Sequence, residues 1–359
     1  MEAATPNHRP LTVVNGCPRS GTSVLSTLLA GRLDAALTPE THFIPLFTPY
    51  LRLWGGLKTP RQRERLIRAI YGFTEIRTVR TKGRGLDIER MRPYLLLATA
   101  ESAPMIARDC DSYPAIVEAL LDDYRARHEG ALVVEKTAYY SPVPWQQIAE
   151  VLPSAKFLHV IRDGRDVALS WRKTWFGPKT IALCAELWAA HIRAGLEWER
   201  IHPERSFRVR YEELVAFTEN VLADIAAYLG VPLLANPVEQ SSVEWLGELA
   251  DHEHMKNLGK PINTTSANRW RNGMDPQDVA TFEAIAGDEL EAVGYERSLP
   301  RRAARRNGAP ARARAQLKSL TSSVEWKRRM MRKLPPALWL ADTLGFSLPR
   351  VLSRLGLTG

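Results

Sequence analysis

No run of about 18 or more apolar residues occurs in the 359-residue chain, so no spanning helix is expected. The first residues, MEAATPNHRP, have no basic flank leading into an apolar core and do not read as a secretory leader. Cysteine is scarce: Cys17, Cys110 and Cys184 are too few and too scattered for a disulfide framework or a zinc site. A reducing, cytoplasmic setting is therefore the expectation. Acid is short as well, since the net charge is +9, but the deficit is local. Residues 297–359 carry 15 Lys or Arg against Glu325 and Asp342, a net of +13, whereas the first 296 residues carry 34 basic and 38 acidic side chains, a net of −4. An acidic body argues against a nucleic-acid partner. The 45% hydrophobic and 25% charged composition is that of a globular chain.

What is present is an alternation of strand and helix patterns. LTVVN (11–15), ALVVE (131–135), KFLHVI (156–161) and SFRVR (206–210) read as short buried parallel strands, and ALT (36–38) as a further one. Helical patterns follow at Ser23–Leu33, Asp166–Trp175 and Glu219–Leu229, the last closed by Gly230 with Pro232 beyond. These imply an α/β fold with a parallel sheet flanked by helices, spanning about residues 1–296. An insert over about 48–130 contains two strongly periodic helices, RQRERLIRAIY and SYPAIVEALLDDYRARH. It is the candidate acceptor-binding part, with plain helical packing as the alternative. Residues 297–359 form a basic linker and an amphipathic C-terminal extension.

The first strand runs into GCPRSGTS and then a helix. Backbone N–H groups in such a loop and at the helix N-terminus face an anion, aided by the helix dipole. Gly16, four residues and Gly21 have the spacing of a Walker A loop, but Thr22 stands where the lysine belongs. The cation lies inside the loop, at Arg19. After a strand the acids are Glu135, followed by Lys136, and Asp163, preceded by Arg162; neither has the purely apolar context of a magnesium-holding Walker B acid. The pattern implies a nucleotide and argues against a P-loop kinase or ATPase.

GCPRSGTSVL resembles the 5′-phosphosulfate loop of sulfotransferases that use 3′-phosphoadenosine 5′-phosphosulfate (PAPS), and VIRDGRDVALSW resembles their 3′-phosphate motif. The resemblance runs over about residues 10–296 and is strongest to the branch with protein-tyrosine sulfotransferases and bacterial enzymes. It implies a P-loop-NTPase-like sulfotransferase fold, PAPS as co-substrate, PAP as product and no metal. It also implies that Arg19, Ser20, Gly21, Thr22 and Ser23 hold the 5′-phosphosulfate and that Arg162 and Ser170 grip the 3′-phosphate, a guanidinium forking onto phosphate oxygens. RDGRD has a plainer alternative, a solvated turn. VRYEEL resembles a post-strand motif that places Tyr211 near the nucleotide. INTTSANRW resembles a late closing loop, with Lys260, Asn263 and Arg269 at the matching polar positions.

Sulfuryl transfer needs a base for the acceptor hydroxyl, cations for developing charge and an in-line pose. LTPETHFIP presents Glu40 and His42; the resemblance implies Glu40 as base, partly buried to suit that task, with His42 as the alternative. It implies Lys136, in EKTAYY, as the ammonium at the leaving group's bridging oxygen, the alternative being a solvated strand-end lysine. His159 reads as a core histidine, and Trp171, Trp175, Trp188 and Trp198 as packing. HEH at His252 and His254 is too little for a metal site, and Cys17 has no evident base beside it. In the extension, VEWKRRMMRKLPPALWLADTLGFSLPRVLSRLGL interleaves basic and apolar residues and fits either interfacial helices on an anionic membrane or a packed hairpin. The expected activity is O-sulfation of a small-molecule, carbohydrate, lipid-linked or natural-product acceptor. Alternatives are tyrosine sulfation, a nucleotide-dependent phosphotransferase, or an idle nucleotide-binding adaptor.

Overall fold

The computed structural model describes residues 11–38, 40–82, 101–128, 130, 132–136, 145–174, 178, 180–237 and 264–300. They form two compact units, one of residues up to Glu40 and from Tyr124 onward, the other of Thr41–Asp123. The second unit thus begins a few residues before the expected insert and ends before it. Its boundary falls inside one helix, near whose end the Tyr124 hydroxyl donates to the Leu37 carbonyl of the sheet unit at 2.9 Å.

The sheet unit is built on β1 (Leu11–Gly16), β2 (Ala35–Leu37), β3 (Leu132–Lys136), β4 (Lys156–Ile161) and β5 (Ser206–Arg210), ordered β2-β3-β1-β4-β5 and parallel throughout. β1, β3 and β4 are buried almost end to end, as continuous Val, Ile and Leu runs between helical layers require. β5 departs from expectation. It is an edge strand in which Val209 alone is buried, Arg208 being exposed and the other residues partly so. β2 lies one residue earlier than ALT. Chain direction moves outward from β1 to β2, returns to β3 and crosses over to β4, so the order reverses at β1. In sheets of this kind ligands bind at such a reversal, outside the carboxyl ends of the strands.

Helices of this unit are α1 (Thr22–Arg32), α6 (Trp145–Val151), α7 (Gly164–Arg172), α8 (Ile181–Ile201), α9 (Tyr211–Ala216), α10 (Thr218–Leu229), α11 (Trp270–Gly273) and α12 (Pro276–Ala292). The other unit holds α2 (Phe43–Phe47), a 3-10 stretch (Thr48–Leu57), α3 (Pro60–Lys82) and α4 (Ser102–Asp109), and α5 (Tyr113–Arg127) crosses from it into the first. Within the second unit Arg63 is buried and donates to the carbonyls of Ala107 (2.7 Å) and Leu57 (3.0 Å), fastening α3 to α4.

α7 begins at Gly164, two residues before its expected start. Asp163 caps it, accepting the Arg165 N–H at 2.9 Å. Trp171 and Trp188 are fully buried and Trp198 nearly so, so packing is their role. Trp175, His252, His254, Lys260, Asn263 and residues 301–359 lie outside the described residues. Among the described residues no helix is long and apolar enough to cross a membrane.

Candidate active site

The loop between β1 and α1 sits at the reversal point. Arg19 has φ 76 and Gly21 φ 99, two left-handed residues around Ser20. A non-glycine residue in that region is costly, on the order of 1–3 kcal/mol, and is kept where the surroundings over-determine it. Here the Ser20 N–H is fixed on the Cys17 carbonyl at 3.0 Å, and Asn15 Oδ1 accepts the Gly16 N–H at 2.7 Å. Gly21 is the N-cap of α1, so the first helical N–H groups, from Thr22 and Ser23, open onto the loop. A Cβ on Gly21 would fall 2.3 Å from the Tyr211 ring, which explains both the glycine and the nearness of Tyr211.

Arg19 Nε donates to Ser170 Oγ at 3.1 Å, and Arg162 Nη1 donates to the Arg19 carbonyl at 3.1 Å. The Arg162 guanidinium also lies 4.4 Å from the Tyr211 ring centroid and donates from Nη2 to the Ser266 carbonyl at 2.5 Å. Residues expected at two different phosphates, Arg19 on one side and Arg162 with Ser170 on the other, therefore form one network. RDGRD is not a solvated turn: Arg162, Asp163, Arg165 and Asp166 are each 5% exposed or less. Arg165 is bidentate to Asp163 (2.7 and 3.0 Å) and pairs with Glu283 of α12 at 2.7 Å. Glu283 further accepts from Ser298 N–H and hydroxyl and from Leu299 N–H. Sequence reasoning missed this buried network. Its signals were an Asp directly before a helical run and a lone Glu on the apolar face of α12.

Glu40 and Lys136 follow β2 and end β3, and the pairing of those strands brings them together. Lys136 Nζ donates to Glu40 Oε1 at 2.5 Å, with the side chains 9% and 26% exposed. The lysine is thus a buried, paired group rather than a solvated strand end. His42 is buried and left-handed (φ 56), at the start of α2 in the second unit. His159 is a core histidine, its Nδ1 2.6 Å from Glu199 Oε1, while its buried Nε2 has no hydrogen-bond partner among the described residues. Burial pushes the Glu199 carboxyl up, but hydrogen bonds from His159 and Arg208 and their charges outweigh this and bring it down to about 2. Burial pushes the Cys17 thiol up, with Cys184 adding to the effect, which disfavours its thiolate.

Buried polar atoms with no hydrogen-bond partner among the described residues include, at the loop, RDGRD and the 264–274 segment, Asn15 Nδ2, Ser20 Oγ, Arg162 Nε, Arg269 Nε, Trp270 Nε1 and Asp166 Oδ2. All but the Asp166 oxygen can donate. Such a donor set, on a loop that opens onto a helix N-terminus, fits a polyanion.

A parallel α/β sheet with an arginine-bearing, donor-rich loop at its reversal point is a candidate anion-binding site. Residues 10–235, well over half the chain, match the sulfotransferase family, and the chain belongs to it. It is 25% identical over 309 residues to a protein-tyrosine sulfotransferase of Drosophila melanogaster, covering 80% of this chain and 52% of that protein. It is 23% identical over 298 residues to protein-tyrosine sulfotransferase 1 of Danio rerio, covering 80% and 72%. The chain thus spans about half the length of the Drosophila relative. The fold is that of the sulfotransferase domain from the Synechococcus PCC 7002 olefin synthase (TM-score 0.51, 23% identity, 82% of this chain and 98% of that one). It is equally that of the sulfotransferase domain from the curacin biosynthetic pathway (TM-score 0.52, 19% identity, 81% and 99%).

Proposed function

We propose that the chain is a PAPS-dependent O-sulfotransferase acting on the hydroxyl of a carbohydrate, lipid-linked or natural-product acceptor. The observation that carries this is the joint network of Arg19, Ser170 and Arg162 around a loop whose orphaned buried atoms are donors. When bound, PAPS supplies an activated sulfuryl group. Arg19, Ser20, Gly21, Thr22 and Ser23 hold its 5′ end; Arg162 and Ser170 hold its 3′-phosphate, Lys260, Asn263 and Arg269 are the cofactor-binding residues of the late loop, and Tyr211 lies near the nucleotide. Glu40 takes the proton of the acceptor hydroxyl. Lys136, held at the strand end by Glu40, donates towards the oxygen that gains charge as the bond to sulfur breaks. A positioned base contributes about 10²–10⁴-fold and a donor to developing charge about 10²–10³-fold. Tyrosine sulfation is the second reading, supported by the names of the two animal relatives.

The test is calorimetric titration of PAP into the wild type, Arg162→Ala and Ser170→Ala, with magnesium ATP as competitor. Tight PAP binding that weakens in both variants and resists ATP supports the reading. ATP bound in place of PAP sinks it in favour of a phosphotransferase. Glu40→Gln that binds PAP yet transfers sulfate as fast as the wild type would remove the base assignment.

The reading also includes a cytoplasmic setting, supported by free thiols at Cys17, Cys110 and Cys184, and peripheral membrane contact through residues 297–359. That contact is supported by their net charge of +13 and interleaved Trp, Leu and Phe, with each basic residue contributing about 1 kcal/mol near an anionic surface. Purified protein that ignores phosphatidylserine vesicles at low salt would remove the membrane contact.

A further inference from the structure

The stretch from Thr264 to Met274 makes a 3-10 turn (Thr264–Ser266), passes through the left-handed Asn268 (φ 57) and enters α11. Three contacts fasten it to the end of β4 and the first turn of α7, each to a different charged residue of RDGRD. Arg162 Nη2 donates to the Ser266 carbonyl at 2.5 Å. The Trp270 N–H donates to Asp166 Oδ1 at 2.8 Å, in a buried bond. The Arg165 guanidinium stacks 3.5 Å from the Trp270 ring centroid. Arg165 is itself immobilised by Asp163 and Glu283, so the surface on which Trp270 rests is rigid.

The Trp270 N–H belongs to the same peptide plane as the carbonyl and Cα of Arg269. A bond that fixes this amide therefore fixes where the Arg269 side chain departs from the backbone. Asp166 also feels Arg162 and Arg269 as charges. Burial raises its carboxyl, while Arg162, the Trp270 N–H and Arg269 oppose that and Asp163 adds to it. One fully buried carboxylate, its Oδ2 without a partner among the described residues, is thus under the electrostatic influence of two guanidiniums whose Nε atoms also have none.

We infer that Asp166 and Arg165 are positioning residues: they dock the 264–274 segment on the turn after β4 and so set Arg269 as a second guanidinium, with Arg162, for the 3′-phosphate of the nucleotide. This rests on the nucleotide reading above. Asp166 acts by accepting the Trp270 N–H, which an amide oxygen does equally well. Its charge is not needed for that task and opposes an incoming phosphate.

The experiment uses the full chain as wild type, Asp166→Ala, Asp166→Asn, Arg269→Ala and the Asp166→Ala/Arg269→Ala double variant. Affinity is measured calorimetrically for PAP and for adenosine 5′-phosphate, which lacks the 3′-phosphate. Hydrogen exchange across 264–274 is followed without nucleotide. Arg269→Ala and Asp166→Ala should each lose PAP affinity by about tenfold to a hundredfold, while affinity for adenosine 5′-phosphate changes less than about threefold. The double variant should be no weaker than the worse single one by more than about threefold. Exchange should speed up in Asp166→Ala and stay slow in Asp166→Asn, which should keep wild-type PAP affinity or exceed it. Equal loss of both nucleotides in Asp166→Ala, additive losses in the double variant, or unchanged PAP affinity would each overturn the inference. Should Asp166→Ala fail to fold, Asp166→Asn decides, since a tenfold loss of PAP in that folded variant is incompatible with positioning through the amide. A wild type that binds neither nucleotide would overturn the nucleotide reading and with it the role of Arg269, while the exchange data would still decide whether Asp166 docks the segment.

Discussion

Gly21 is held to one residue type twice over, by a φ of 99° and by the Tyr211 ring in the space a methyl group would fill. Gly21→Ala should therefore move both the loop and Tyr211 and weaken PAP binding by at least about tenfold, since a strained residue costs on the order of 1–3 kcal/mol. Calorimetry checks this, and wild-type affinity would refute the loop geometry. At the other functional pair, Glu40→Gln and Lys136→Ala should each lower kcat by about 10²-fold or more. Because the two side chains touch, the double variant should lose much less than the product of the two. Away from the site, Glu199 gives a pH signature. Its folded value of about 2 lies below the ordinary 4.5, so the stability it contributes is present above pH 4.5 and is lost as pH falls towards 2. Glu199→Gln should flatten this acid limb in denaturant titrations between those limits; an unchanged slope would mean that the His159–Glu199–Arg208 cluster contributes nothing.

Helix α7 shows how an element can be legible while its purpose is not. Its apolar positions announce a helix near Asp166, yet the start is set by Asp163, whose cap bond depends on one side-chain oxygen and has no periodicity. The strands were readable almost to the residue, since fully buried parallel strands are continuous apolar runs. β5 was legible as a parallel strand, but not its partial exposure, since its place at the sheet edge leaves Phe207 half-buried while Val209 is core. Glu40 and Lys136 were both legible from their motifs, but their contact was not. They lie 96 residues apart in the chain and meet through strand order. The buried Arg165–Asp163–Glu283 group was hidden for a like reason, since a run of charges after a strand is usually solvated and only the docking of α12 buries it. Glu283→Ala, which strips Arg165 and the Ser298–Leu299 backbone of their acceptor, should cost about 3–5 kcal/mol in urea unfolding. A loss below about 1 kcal/mol would show that water replaces the carboxylate.

At the scale of the molecule, excess charge and the candidate site are segregated. The loop, RDGRD and the 264–274 segment belong to the first 296 residues, which are net negative, while the excess of cations lies beyond them. Any positive potential at the candidate site must therefore be local, from side chains such as Arg19 and Arg162, rather than from overall charge. PAP at about a hundred times its dissociation constant should add about 2.7 kcal/mol to stability and raise Tm by several degrees, an effect that should survive moderate salt. Salt-sensitive stabilisation would instead point to loose binding on the basic extension. The sheet order has a consequence for synthesis. β1 is the central strand, and its partners β3 and β4 end at Lys136 and Ile161. At about 5–20 residues per second a ribosome needs on the order of ten seconds after making β1 before both neighbours exist. During that interval the phosphate loop hangs from an apolar strand with two open edges, so the part of the chain that defines its chemistry is also the part a chaperone must shield longest.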